Sequence, residues 1–201
     1  MPNGICKLCL RNEELQRSHF LPAFLYRLSL DRRAGNPNPV VMTRSVAVST
    51  SKQMRYYLLC PNCESRFSEH GEKWIARQVY NGRDFPLLDR LNVALPLHAT
   101  PHLQIFSGTD AGIDTSKLAY FALSLLWRAS VHKWAMINGK TTSVDLGIYE
   151  EPIRRFLVGE TSFPSDAVVV ATACTDWVSQ ETVFPPTAVP ENRHIVFSCR
   201  M

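Results

Sequence analysis

The sequence predicts an α+β protein with a small N-terminal module and a mixed C-terminal lobe. Three observations predict it. Two Cys-x2-Cys pairs, Cys6/Cys9 and Cys60/Cys63, bracket a stretch rich in strand and turn residues. Apolar residues recur at helical spacing after the second pair and again between residues 117 and 137. Short apolar, β-branched runs come later, at 167–174 and 194–199. At 201 residues and 45% apolar content, the chain can bury an ordinary core and does not have a disordered composition.

Taken in order, Leu21, Phe24, Leu25 and Leu28 predict a helix over 21–30, broken by Asn36-Pro37-Asn38-Pro39. Residues 40–50 read as a strand or hairpin arm, and 55–59 as a second strand leading into Cys60. A helix is expected over 62–80, with Cys63, Phe67, His70 and Trp74 along one face. Pro86, Pro96, Pro101 and Gly108 mark a connection, which places the boundary between a 1–82 module and an 83–201 lobe. Asp114-Thr115-Ser116 offers an N-cap for a long helix over 117–137, and a shorter helix is expected over 149–158. Pro185-Pro186 and Pro190 are expected to separate the last two strands. There is no internal repeat.

Charge is unevenly placed. Residues 1–60 carry nine Lys/Arg against three acids, a net of +6, whereas the rest carries 13 against 15, a net of −2. A basic stripe of this kind suits a phosphate backbone, and it equally suits a solvated surface. The first residues, Met1-Pro2-Asn3-Gly4, lack the basic-then-apolar layout of a signal peptide. The most apolar stretch, 118–137, is interrupted by Arg128, His132 and Lys133, too polar for a membrane span. A cytoplasmic protein is the expectation, and reduced thiols there favour metal over disulfides.

Zinc takes four thiolates in a tetrahedron, and each Cys-x2-Cys turn supplies two with little strain. Cys6, Cys9, Cys60 and Cys63 are therefore predicted to hold one structural zinc ion, across an intervening 50 residues. Cys174 and Cys199 have no partner at ligand spacing and read as core residues.

A knuckle, a strand-rich loop and a helix opened by the second pair together make a treble-clef outline. The pattern Cys6-x2-Cys9, Ser18-His19-x2-Pro22, Leu59-Cys60-x2-Cys63-Glu64-x3-Ser68 and Leu123-Ser124-x2-Trp127-Arg128-Ala129-Ser130 resembles the zinc-bearing HNH (ββα-metal) endonucleases. It is most similar to a group of bacterial HNH-like proteins. The resemblance implies a nuclease hydrolysing DNA phosphodiesters with Mg²⁺ or Mn²⁺, and a role in anti-phage defence, with a protein partner as one option.

That chemistry needs an activated water and a dication on the phosphate. In the resemblance His19 takes the place of the general base. Ser18 stands where the family usually has Asp, and Glu64 where it has Asn or His, so Glu64 becomes the candidate Mg²⁺ or Mn²⁺ ligand. Arg32, Arg33, Arg44, Lys52 and Arg55 are the candidate DNA contacts. A second class of function stays open: a non-catalytic zinc module that binds nucleic acid or a partner protein, or a subunit active only in a complex. His70 reads as a packed helix-face residue. Glu72, about 12 Å along the helix from Glu64, reads as a salt-bridge partner for the basic loop.

Overall fold

A β-hairpin comes first. Strand β1 (Asn3–Ile5) pairs antiparallel with β2 (Asn12–Glu14), and Cys6 and Cys9 lie in the connection between them. The computed structural model describes residues 1–28, 38–42, 47–79, 83–173, 184–191 and 194–200. Two backbone bonds close the knuckle, Cys6 N–H to the Arg11 carbonyl and Leu10 N–H to the Cys6 carbonyl, both 2.9 Å. Leu10 takes φ 61° to do so, a left-handed conformation that costs a side-chain-bearing residue about 1–2 kcal/mol.

Strand β3 (Gln16–His19) leads into helix α1 (Ala23–Leu28), which sits inside the stretch expected to be helical. The expected strand over 40–50 is a hairpin of β4 (Val40–Met42) and β5 (Ala47–Ser49). Strand β6 (Arg55–Leu59) pairs antiparallel with β3, matching Arg17 with Tyr57, Ser18 with Tyr56 and His19 with Arg55, after a bulge beyond Gln16. Cys60 then caps helix α2 (Pro61–Phe67), whose first-turn proline suits the position.

The helix expected over 62–80 is not uniform. After Phe67 the backbone widens into a π-helical turn over Ser68–Glu72, then resumes as α3 (Lys73–Ile75). The wider turn rotates the remainder of the helix. The buried face is Cys63, Phe67, Gly71 and Ile75 in place of the predicted Cys63, Phe67, His70, Trp74, and His70 is exposed.

The stretch expected to be a connection holds helix α4 (Pro86–Val93) and a small hairpin, β7 (His98–Ala99) with β8 (Gln104–Ile105). Helix α5 (Thr115–Ser130) starts at the predicted cap, where the Asp114 carboxylate accepts from Lys117 N–H at 3.0 Å. It stops seven residues short of the predicted end. The Trp134 indole N–H donates to the Arg128 carbonyl at 2.9 Å, taking up a last-turn acceptor, and Trp134–Ala135 becomes β9, paired with β10 (Thr141–Thr142). A 3₁₀ turn (Gly147–Tyr149) enters helix α6 (Glu150–Val158), close to prediction.

Residues 167–173 form no strand, contrary to expectation, and Cys174 lies outside the described residues. The prolines expected to separate strands are themselves in one. Strand β11 (Phe184–Glu191) pairs with β12 (His194–Arg200), and Pro185 and Pro186 fall in its register shift, where a missing N–H breaks no ladder bond. Cys199 lies on β12.

One cluster of buried apolar side chains reaches from Cys6 and Leu8 through Phe67 to Trp127, Leu146 and Leu157, so residues on both sides of position 82 share it. No helix among the described residues is long and apolar enough to cross a membrane.

Candidate metal centre and the adjoining strand face

The hairpin turn and the start of α2 bring Cys6, Cys9, Cys60 and Cys63 together, with their sulfur atoms all within 4.8 Å of one another. All four are free thiols. A tetrahedral zinc–thiolate site has sulfurs about 3.8 Å apart, from Zn–S bonds of about 2.3 Å. Cys9 and Cys60 sulfurs are 3.9 Å apart. The set fits a zinc ion in donor type, number and spacing. Backbone contacts hold the frame, with Lys7 N–H to the Leu58 carbonyl at 2.9 Å and Cys60 N–H to Cys6 Sγ at 3.3 Å.

The electrostatics suit a cation. A hydrogen bond from Cys63 holds the Cys6 thiol down at about 4, and the same contact together with burial pushes Cys63 far up. Burial pushes Cys60 up as well. Without a positive ion, one thiolate in the cluster suppresses its neighbours. A dication removes that conflict and allows all four to ionise.

His19 ends β3, half-buried opposite Arg55. Its Nε2 lies 2.8 Å from Gln53 Oε1, which also accepts from Arg55 Nε at 3.2 Å and from Arg55 Nη2. Arginine can only donate, so the Gln53 atom is an acceptor and His19 Nε2 must carry the proton. Nδ1 is left with the lone pair. Burial, as the largest cause, lowers the His19 pKa below its ordinary value, and the Arg55 and Arg128 charges lower it further.

Alternation along β3 puts Arg17 and His19 on one face, with their partners Tyr57 and Arg55, and Ser18 on the other. Ser18 is 1% exposed, and its hydroxyl has no hydrogen-bond partner among the described residues. Glu64, in the first turn of α2, lines a cleft of about 560 Å³ with Met1, Gln16, Arg17, Tyr57 and Pro61. Its Oε1 is buried and has no hydrogen-bond partner among the described residues. His19 does not line this cleft. Of the expected DNA contacts, Lys52 and Arg55 are exposed, whereas Arg32, Arg33 and Arg44 lie outside the described residues.

Among the described residues, Glu72 makes no ion pair with the basic loop. It pairs with Arg128 of α5, which is 2% exposed and lies over the Phe67 ring at 4.7 Å from the centroid. Nothing in sequence spacing links two residues 56 apart, although an arginine amid the apolar residues of a core helix asks for a buried acid. Arg154 was equally hidden in the sequence. Its Nη1 donates to the Leu8 carbonyl in the knuckle at 2.7 Å, while Glu151 grips its other nitrogens at 2.7 and 2.8 Å. His70 keeps a ring contact with Tyr120, at 5.3 Å between centroids.

Comparison of the chain with models of protein families, with curated proteins and with solved structures found no match.

Proposed function

We propose that residues 1–82 form a treble-clef module of HNH type. In this reading a structural zinc on Cys6, Cys9, Cys60 and Cys63 supports divalent-metal-dependent hydrolysis of DNA phosphodiesters. The observation that carries the reading is the state of His19. A neutral imidazole with its Nε2 proton committed to Gln53 keeps Nδ1 as a proton acceptor, which is what a general base for water needs. Glu64 offers a carboxylate oxygen without a hydrogen-bond partner among the described residues, and Mg²⁺ is commonly held by one or two carboxylates plus phosphate and water. Ser18 stands where the family has its carboxylate, but it is buried on the strand face opposite His19, so it takes no part in this site. Arg17 and Arg55 flank His19, and Arg32, Arg33, Arg44 and Lys52 extend the positive charge for the DNA backbone.

The test is plasmid nicking with Mg²⁺ or Mn²⁺. His19→Ala should lower the rate on the order of 10²–10⁴ while zinc content and Tm stay near wild type. Gln53→Leu should lower it less, by releasing the tautomer. Glu64→Gln should raise the metal concentration required. Nicking that survives His19→Ala unchanged overturns the assignment.

A second reading, a non-catalytic zinc module that binds nucleic acid, has one observation in its favour. Among the described residues, the four cysteines are the one group of three or more His, Cys, Asp or Glu placed to share an ion. This reading expects no nicking with any divalent ion, and a His19→Ala protein that is merely less stable.

A further inference from the structure

Tyr56 and His132 stack face to face, their ring centroids 3.8 Å apart and their planes 17° from parallel. The stack is not core. Tyr56 is 50% exposed, so half of its surface meets solvent. What is buried lies beside it. Trp134, 1% exposed, meets His132 edge-on at 5.2 Å and Phe20 at 5.0 Å, and its indole is fixed on the Arg128 carbonyl. Two aromatic rings are thus held at the surface by a locked third one. Lys7 is alongside, exposed, its backbone bonded to Leu58 two residues after Tyr56, and its charge acts on His132.

We propose that the Tyr56–His132 stack, with Lys7 beside it, is a platform for one unpaired base of a single-stranded nucleic acid. This rests on the nucleic-acid reading above and names the substrate class of that surface. Three features favour that occupant. A nucleobase is a flat π-system that extends an existing stack, whereas a paired base inside a duplex has no free face to offer. The flanking Lys7 is a cation, matching a phosphate next to such a base. A pre-stacked, rigidly backed ring loses little freedom on binding.

The experiment measures fluorescence anisotropy of a labelled thymidine 12-mer and of an abasic 12-mer with the same phosphates. Zinc-loaded full-length protein is used, without Mg²⁺ or Mn²⁺ so that cleavage is silent. Wild type should bind the thymidine strand about tenfold or more tightly than the abasic one. Tyr56→Leu, which keeps bulk but has no π-face, should bind both strands alike, whereas Tyr56→Phe should keep the difference. Zinc content and Tm, measured on each variant, establish that it is folded. Equal affinity of wild type for the two strands, or a Leu variant that still distinguishes them, overturns the proposal. Cleavage is assayed separately with Mg²⁺ or Mn²⁺. A protein that distinguishes the strands through Tyr56 yet never nicks DNA upholds this inference and sinks the nuclease reading.

Discussion

Gly71 and Phe121 bring two helical segments together through their main chains. A β-carbon on Gly71 would stand 3.0 Å from both Cα and Cβ of Phe121 and 3.1 Å from its amide nitrogen. The widened turn over Ser68–Glu72 delivers this glycine to the contact, and Glu72 then reaches Arg128 along the same helix pair.

Gly71→Ala sets two effects against each other. Alanine favours a helical backbone over glycine by roughly 1 kcal/mol. The added methyl meets backbone, which cannot swing aside, and overpacking of this kind costs about 1–3 kcal/mol. The crowding should win. The urea midpoint should fall with an unchanged slope, and a midpoint at or above wild type would show that α5 shifts freely.

Zinc content should be about one per chain by elemental analysis, and a chelator should unfold the knuckle. Arg154→Ala should make that unfolding easier. It leaves the Leu8 carbonyl without its buried donor, a loss of about 1–3 kcal/mol, and Lys has no fork with which to hold Glu151 and Leu8 together. Zinc transfer to a chromogenic chelator should run faster in both Arg154→Ala and Arg154→Lys. Rates equal to wild type would show that α6 does not brace the site.

Stability should fall in mild acid through two histidines. His19 and His132 are both held below the ordinary value of 6.5, with burial as the largest cause. Above about 6.5 neither folded nor unfolded chain is protonated there, so these groups contribute nothing. Below it the unfolded chain gains protons first and stability drops, until the depressed folded values are passed. A His19→Gln/His132→Phe double variant should show a shallower decline between about pH 6.5 and 5 than wild type at equal zinc content. Parallel curves would assign the acid sensitivity to the thiolates.

Duplex DNA affinity should depend steeply on salt. Charge reversal at Arg32, Arg33, Arg44, Lys52 and Arg55 should flatten the plot of log K against log salt by about 0.9 for each phosphate no longer neutralised. Reversal of the exposed Arg77 and Lys140 should leave it nearly unchanged. Equal slopes in both variants would place the footprint elsewhere.

What the sequence made legible was local. Cys-x2-Cys spacing alone singled out the four cysteines that cluster, because each pair needs only one turn of chain. Asp114 announced the start of α5 for the same reason. What stayed hidden depends on partners far along the chain. The π-helical turn reflects how close α5 comes at Phe121, which no periodicity in 62–80 records. The end of α5 is set by an indole that returns to cap it. Pro185 and Pro186 of β11 looked like breakers because their compatibility with a bulge shows only once β12 is beside them. The basic residues were plain in composition, yet the Tyr56–His132 stack joins residues from two lobes and leaves no trace in either.

The bond from Arg154 to the Leu8 carbonyl spans 146 positions and so sets an order of events during synthesis. All four cysteines leave the ribosome well before Arg154. At about 5–20 residues per second the delay is on the order of 5–20 s. Metal capture can begin in that interval, on a nascent knuckle whose main-chain acceptor is still met by water. In the zinc reading, arrival of α6 then latches a centre that can already hold its ion, and cells short of zinc during those seconds would be expected to accumulate chains closed around bare thiols.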